Sequence, residues 1–172
     1  FRAHDVETHL FQRPSRLLPP FGEAVGERVA DHLREQGVTL HLNTAVEELV
    51  GDEGGRVTSV AHDGGRTGVD LALVGIGINP NTALVEDTAV ELGASGAIAV
   101  DEYGATSVDG VYAAGDCAEA SHAVTGEPDW VPLGLTANRA GRAIGQTVAG
   151  DPSPVGNIAG TAVVKAFDLE CG

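Results

Sequence analysis

The chain has 172 residues, enough for one large or two small domains with their own cores. Its 25 acidic residues outweigh 10 basic ones, giving a formal charge of −15, so a phosphate backbone would be repelled and nucleic-acid binding is disfavoured. No apolar run approaches the roughly 18 residues of a helical membrane span. Hydrophobic residues make up 42% of the chain but aromatics only 4%, so its 24 glycines and many Ala and Val must carry the packing, as in α/β folds. No basic-then-apolar leader opens the sequence, and Cys117 and Cys171 lie far apart without metal-ligand spacing, so a reducing, cytoplasmic setting is expected. The six histidines read as scattered, with no metal site. Lys165 is the only lysine. An acidic surface with Arg in place of Lys suits a salt-rich, halophile-like cytoplasm as well as an ordinary acidic protein. The sequence starts at Phe1 and contains no methionine, so it reads as a piece of a longer chain.

Taken in order, Thr8 to Phe11 is a short apolar strand, followed by an extended connection marked by Pro14, Pro19 and Pro20. Glu23 to Gln36 has helical spacing, with Val25, Val29 and Leu33 on one face and Gly37 as the stop. With a strand over Val38 to Leu42 this forms a βαβ unit. The period then changes to two. Ala45 to Val50, Arg56 to His62 and Gly68 to Asp70 predict a three-stranded antiparallel meander. Leu71 to Ile76 is apolar without alternation and predicts a strand buried on both faces. Gly75-Ile-Gly-Ile-Asn-Pro-Asn81 is a glycine turn rather than a phosphate-binding fingerprint, because Pro80 prevents the helix such a loop needs. A short helix over Thr82 to Asp87, capped by Asn81 or Thr82, and a strand over Gly96 to Asp101 follow.

The stretch Thr106 to Glu119 is the most informative one. It reads as a turn, a buried strand over Val111 to Ala114, and Gly115-Asp116 opening a helix. The glycine lets the backbone approach a bound group, and the carboxylate can accept hydrogen bonds from a polyhydroxylated ligand. Cys117 would then sit at a helix start, where a thiolate is stabilised, although an inert buried thiol explains it as well. A polar loop carrying Trp130 leads to a long helix over Leu133 to Ala149. Gly141 and Gly145, four residues apart, would let that helix approach another backbone. Gly150-Asp-Pro-Ser-Pro154 ends it and marks a boundary. Thr161 to Leu169 reads as a strand cut off before its partner.

Three motifs in this order, Gly75 to Asn81, Thr106 to Asp116 and Pro132-Leu-Gly-Leu-Thr-Ala-Asn-Arg-Ala-Gly-Arg142, resemble the flavoprotein pyridine nucleotide–disulfide oxidoreductases. The third motif and Gly160 to Asp168 look most like the coenzyme A-disulfide reductase and NADH oxidase branch. The resemblance covers nearly the whole chain. It implies an α/β architecture of partial NAD(P)-binding and FAD-binding Rossmann-like domains, a parallel sheet with an antiparallel meander, and the start of an α+β dimerisation domain. The implied divisions are 1–78, 79–150 and 151–172.

By the same resemblance, Asp116 would bind the ribityl chain of FAD, with Gly115 allowing close approach. Leu133, Gly134, Thr136 and Ala137 would lie at the flavin's carbonyl edge, where the helix dipole stabilises negative charge. Gly75 and Gly77 would border the cleft where nicotinamide meets flavin. Gln12 stands where NAD-preferring relatives tend to carry an acid that binds the adenosine ribose. With Arg13 and then Arg16 beside it, NADPH as well as NADH is admitted. No catalytic residue is expected in the chain itself, since the redox cysteine and both GxGxxG loops would precede Phe1. The expected parent is a homodimeric enzyme passing electrons from NADH or NADPH through FAD to a small-molecule disulfide or dioxygen, with the fragment alone inactive. The rival is a non-catalytic nucleotide-binding module that retains the fold. An α/β hydrolase is weak, since no GxSxG elbow occurs.

Overall fold

The computed structural model describes residues 1–172, which divide into two compact units: Phe1–Gly75 with Ala162–Gly172, and Ile76–Thr161. The first is built on the βαβ unit. Strand β1 (Thr8–Gln12) pairs in parallel with β2 (Val38–Leu42), with Leu10 opposite Leu40 and Phe11 opposite His41. Helix α1 (Glu23–Glu35) connects them. Alternation along the strands puts Leu10, Leu40 and Leu42 on the face that packs against α1, where Leu17, Val29 and Ala30 are buried and Val25 and Leu33 complete the cluster. Burying each larger aliphatic side chain there contributes about 1.5–3 kcal/mol. The helix has Glu23 in its first turn and His32 and Arg34 in its last, as its dipole favours. Gly37 (φ +81°) ends it in the left-handed region. The proline segment is not wholly extended: Pro19–Phe21 forms one 3-10 turn.

The meander is present as β3 (Val46–Gly51), β4 (Val57–His62) and β5 (Gly65–Gly68), in that order and antiparallel. Asp52 Oδ1 shapes the first turn by accepting the N–H groups of Gly54 (2.9 Å) and Arg56 (3.0 Å). The third strand lies earlier than Gly68 to Asp70. His62 pairs with Gly65, so the chain reverses over Asp63-Gly64 alone, the two-residue loop that Asp-Gly favours.

The histidines are not scattered. His9 and His41, on the sheet face away from α1, join His62 of β4 around Phe11. Phe11 and His41 stack at 4.3 Å between ring centroids, and His9 Nδ1 lies 2.9 Å from His41 Nε2. The His9, Phe11 and His41 rings stack, and the His62 ring is tilted against Phe11 and His41.

The predicted strand over Leu71 to Ile76 does not form. No strand runs beside it, and Leu73 and Ile76 are 81% and 92% exposed. An apolar run becomes a doubly buried strand only where neighbours complete the ladder on both sides.

The second unit is mostly irregular around a core of small residues: Ala97, Ile98, Ala118, Ala140, Ala143 and Ile158 are buried. Gly96 to Asp101 and Val111 to Ala114 pair only at single bridges, Ile98 with Leu92 and Ala118, and Tyr112 with Ala105. The helix expected over Thr82 to Asp87 is a single 3-10 turn, Ala83–Val85, without a side-chain cap. The polar loop contains a two-residue ladder, β6 (Ala120–Ser121) with β7 (Pro128–Asp129). Helix α2 (Gly134–Val148) forms as expected. Its Gly141 and Gly145 face open space rather than another backbone.

Thr161 to Leu169 finds a partner within the chain, since β8 (Val164–Ala166) and β9 (Leu169–Cys171) form a hairpin in the first unit. Leu169 and Cys171 pack on the α1 cluster. Buried His32 meets Phe167 edge-on, with its Nε2 3.0 Å from Asp168 Oδ1 in an ion-pair contact that lacks hydrogen-bond geometry.

His41 titrates below the ordinary histidine range, first because burial disfavours its charge and then because His9 and His62 repel it. A base whose folded pKa is depressed is stabilising above its unfolded value, about 6.5, and that contribution is lost as the pH falls. Thermal melting measured between about pH 7.5 and 5.5 should therefore show a steeper acid-side loss in the wild type than in His41→Phe. Parallel curves for the two would contradict this role.

Candidate functional site

The Gly115 stretch is a turn and not a helix start. Gly115 has φ +89°, a conformation glycine adopts at little cost, and Ala118 N–H donates back to its carbonyl at 3.2 Å. Asp116 therefore caps no helix, and its side chain is exposed. The backbone of the turn is pinned instead by Trp130, whose Nε1–H donates to the Asp116 carbonyl at 2.8 Å. Cys117 is half-buried with Sγ 3.5 Å from the Ala114 carbonyl, and no helix begins at its position.

Against this turn stands α2. A Cβ built on Gly115 would lie 3.8 Å from Ala137 Cβ, so turn and helix are in van der Waals reach. Gly115, Thr136 and Ala140 line one cavity of about 60 Å³, together with Ala113, Ala114 and Glu119. The helix starts bare. Leu133 is the N-cap residue in extended conformation (φ −127°), no side chain caps the first turn, and that turn holds no acidic residue. The first intrahelical bond there runs from Ala137 N–H to the Leu133 carbonyl, at 3.0 Å. The N–H groups of Gly134, Leu135 and Thr136 are left at the positive end of the helix dipole, with Gly134 and Leu135 exposed. An exposed carboxylate at Asp116 and a bare helix N-terminus in the same unit offer an acceptor for hydroxyls and a donor set for an electron-rich carbonyl edge. These residues fit a flavin with a polyol chain.

The other predicted residues fall elsewhere. Gln12 ends β1 opposite Leu42, half-buried, with its carbonyl accepting from Thr44 N–H at 3.1 Å. Arg13 and Arg16 are exposed. Arg16 borders an open depression of about 470 Å³ with Ser15 and Arg34, the latter paired to Asp31 at 2.9 Å. Gly75 and Gly77 (φ +101°) lie where the chain passes from one unit to the next, with nothing within 4 Å of a Cβ at either.

Two polar residues of the second unit escaped sequence reasoning. Arg139, on α2, donates through Nη2 to the carbonyls of Asn157 (2.8 Å) and Gly156 (3.4 Å) and so holds the segment that follows the helix. Glu119 is buried and accepts from Ser95 Oγ at 2.6 Å. Its only trace in the sequence is a charge set between Ala118 and Ala120.

The sequence profile described as Pyridine nucleotide-disulphide oxidoreductase matches residues 1–141. This chain belongs to that family. The CoA-dependent NAD(P)H sulfur oxidoreductase of Pyrococcus furiosus is 37% identical over 95% of this chain and 36% of its own length. The NADH oxidase of Methanocaldococcus jannaschii is 34% identical over 99% of this chain and 38% of its own. A crystal structure of an FAD-dependent pyridine nucleotide-disulphide oxidoreductase from Desulfovibrio vulgaris superposes with a TM-score of 0.88 at 32% identity, covering 96% of this chain and 42% of that one. This pyridine nucleotide-disulphide oxidoreductase chain thus spans 36–38% of the length of these curated relatives.

The two kinds of glycine at the site should respond oppositely to alanine. Gly115→Ala forces a side chain into the left-handed region and should destabilise by about 1–2 kcal/mol. Gly141→Ala, in mid-helix and facing open space, should stabilise by about 0.5–1 kcal/mol. Denaturant melts of the two variants check this, and equal midpoints would contradict it.

Proposed function

We propose that this chain belongs to a flavoprotein enzyme that takes a hydride from NADH or NADPH onto FAD and passes the electrons to a low-molecular-weight disulfide of the CoA type or to dioxygen. One observation carries the reading: the Gly115-Asp116 turn stands against a helix whose first-turn N–H groups have no cap. The relatives support it, one being named a CoA-dependent NAD(P)H sulfur oxidoreductase, another an NADH oxidase and a third FAD-dependent.

FAD, when bound, supplies the redox chemistry. The chain's own residues position and polarise. Asp116 accepts hydrogen bonds from ribityl hydroxyls, and the left-handed backbone of Gly115 brings the chain close enough for it to do so. The start of α2, at Leu133, Gly134, Thr136 and Ala137, lies at the flavin's carbonyl edge, and it is the free N–H groups of Gly134, Leu135 and Thr136, with the positive dipole end, that face it. There they favour whichever state carries more negative charge. Gly75 and Gly77 leave room beside the nicotinamide. Gln12 places no negative charge near the adenosine ribose, and Arg13 is free to pair with a 2′-phosphate, so NADPH is accepted beside NADH.

In this reading residues 1–78 complete the NAD(P)H domain, 79–150 complete the FAD domain, and 151–172 begin the dimerisation domain of a homodimer. Two free cysteines suit a reducing cytoplasm, and no helix is long and apolar enough to cross a membrane.

The test is an anaerobic absorbance spectrum of the intact protein before and after NADH or NADPH. Flavin bands that bleach with either nucleotide are expected, and a colourless protein that takes up no FAD would overturn the proposal. Titration with CoA disulfide, or with air, then separates the two acceptors. Gln12→Asp should cut kcat/KM for NADPH by roughly tenfold, about 1.4 kcal/mol, and leave NADH turnover nearly unchanged. Equal losses with both nucleotides would count against Gln12 as a determinant.

A further inference from the structure

Glu119 is 8% exposed and stands in a core otherwise made of alanines and two isoleucines, Ala97, Ile98, Ala118, Ala140, Ala143 and Ile158. A buried carboxylate is costly unless hydrogen-bonded or paired. None of the ion pairs in the structure includes it. Its Oε1 accepts from one residue twice, Ser95 Oγ at 2.6 Å and Ser95 N at 3.3 Å. Ser95 Oγ in turn accepts from Ala97 N–H at 3.2 Å. The carboxylate lies over Gly93, where a Cβ would collide with its oxygens, so that glycine is required for the carboxylate to sit where it does. An apolar residue would serve packing alone at less cost.

The carboxylate ties Ser95 to the strip that leaves the Gly115 turn, and backbone bonds hold that strip on Ile98. Ile98 N–H donates to the Cys117 carbonyl at 2.8 Å, and Glu119 N–H donates to the Ile98 carbonyl at 3.0 Å. Cys117 is two residues past Gly115, and Glu119 itself lines the cavity that Gly115 shares with Thr136. The backbone ladder sets the register of residues 117–119 on Ile98, and the Glu119–Ser95 clamp ties that strip to the segment before Ile98, which bears on the position of the Gly115-Asp116 turn relative to the N-terminus of α2.

We propose that Glu119, acting through Ser95, is a positioning residue for FAD. This rests on the flavoprotein reading above. It never touches the flavin in this account; it sets the distance between the ribityl acceptor and the helix N-terminus.

The experiment is FAD titration of the intact apoprotein, followed by flavin fluorescence quenching and visible circular dichroism, in the wild type, Glu119→Ala, Glu119→Gln, Ser95→Ala and the double variant Glu119→Ala with Ser95→Ala. Loss of a hydrogen bond to a charged group should raise the FAD Kd about tenfold or more in Glu119→Ala and Ser95→Ala. Glu119→Gln keeps an oxygen for the Ser95 hydroxyl and should stay within about threefold. The double variant should be no worse than the poorer single one, because both remove the same interaction. The KM for NAD(P)H should not move.

Ala143→Gly, in the same core but on the far part of α2, serves as the stability control. It should lower the apoprotein melting temperature with the FAD Kd unchanged. An FAD Kd within about twofold of wild type in Ser95→Ala overturns the assignment, as does an equal rise in Ala143→Gly at matched loss of melting temperature. If Glu119→Ala does not fold, Ser95→Ala and Glu119→Gln decide by the same readings. A wild-type protein that takes up no FAD overturns the flavoprotein reading itself, an outcome distinct from failure of the clamp.

Discussion

The backbone ladder that ties Ile98 to Cys117 and Glu119 is the constraint on which the second unit depends. Regular secondary structure is scarce there, and the core is made of alanines and two isoleucines, so side-chain interlock is weak. Two hydrogen bonds near 3 Å set the register of the stretch leaving Gly115, and Trp130 fixes the turn from the other side through the Asp116 carbonyl. A left-handed glycine then reverses the chain where a Cβ-bearing residue would be strained. The site is thus made of backbone geometry more than of reactive side chains, which suits a protein whose chemistry resides in a bound cofactor.

The first unit rests on a different principle. Its βαβ segment buries aliphatic side chains on one face of a two-stranded parallel sheet, and the helix covering that face is long enough to bring Val25, Val29 and Leu33 to bear. The opposite face carries the stacked rings of His9, Phe11 and His41 and meets the tilted ring of His62 from the meander. A titratable stack makes this packing sensitive to protons in a way the aliphatic face is not. Gln12, at the carboxyl end of β1, pairs with Leu42, which lines the depression bordered by Arg16.

The elements most legible in the sequence were those whose signals are local. Helix α1 is written in its apolar spacing and in Gly37, helix α2 in its run of small residues ended by Gly150, and the meander in its period of two and its glycine turns. Leu71 to Ile76, Gly96 to Asp101 and Val111 to Ala114 misled because a buried strand is a property of its neighbours as much as of its own residues. The hairpin at the carboxyl end was missed because its turn, Phe167-Asp168, places a phenylalanine at φ +56° instead of a glycine. At the site, Gly115 and Thr136 line one cavity, whereas the helix imagined at Asp116 is a turn. Glu119 gave no local sign of its role, because its partner, Ser95, lies 24 residues away. The grouping of three histidines likewise depends on strand pairing, which spacing alone does not reveal.

A crystal structure of the intact protein with FAD bound tests the central claim most directly. The account predicts a ribityl hydroxyl within about 3.2 Å of the Asp116 carboxylate, and the flavin's carbonyl edge facing the N–H groups of Gly134 to Thr136. Flavin density away from the start of α2, or a ribityl chain whose hydroxyls are met by other residues while Asp116 points to solvent, would contradict it.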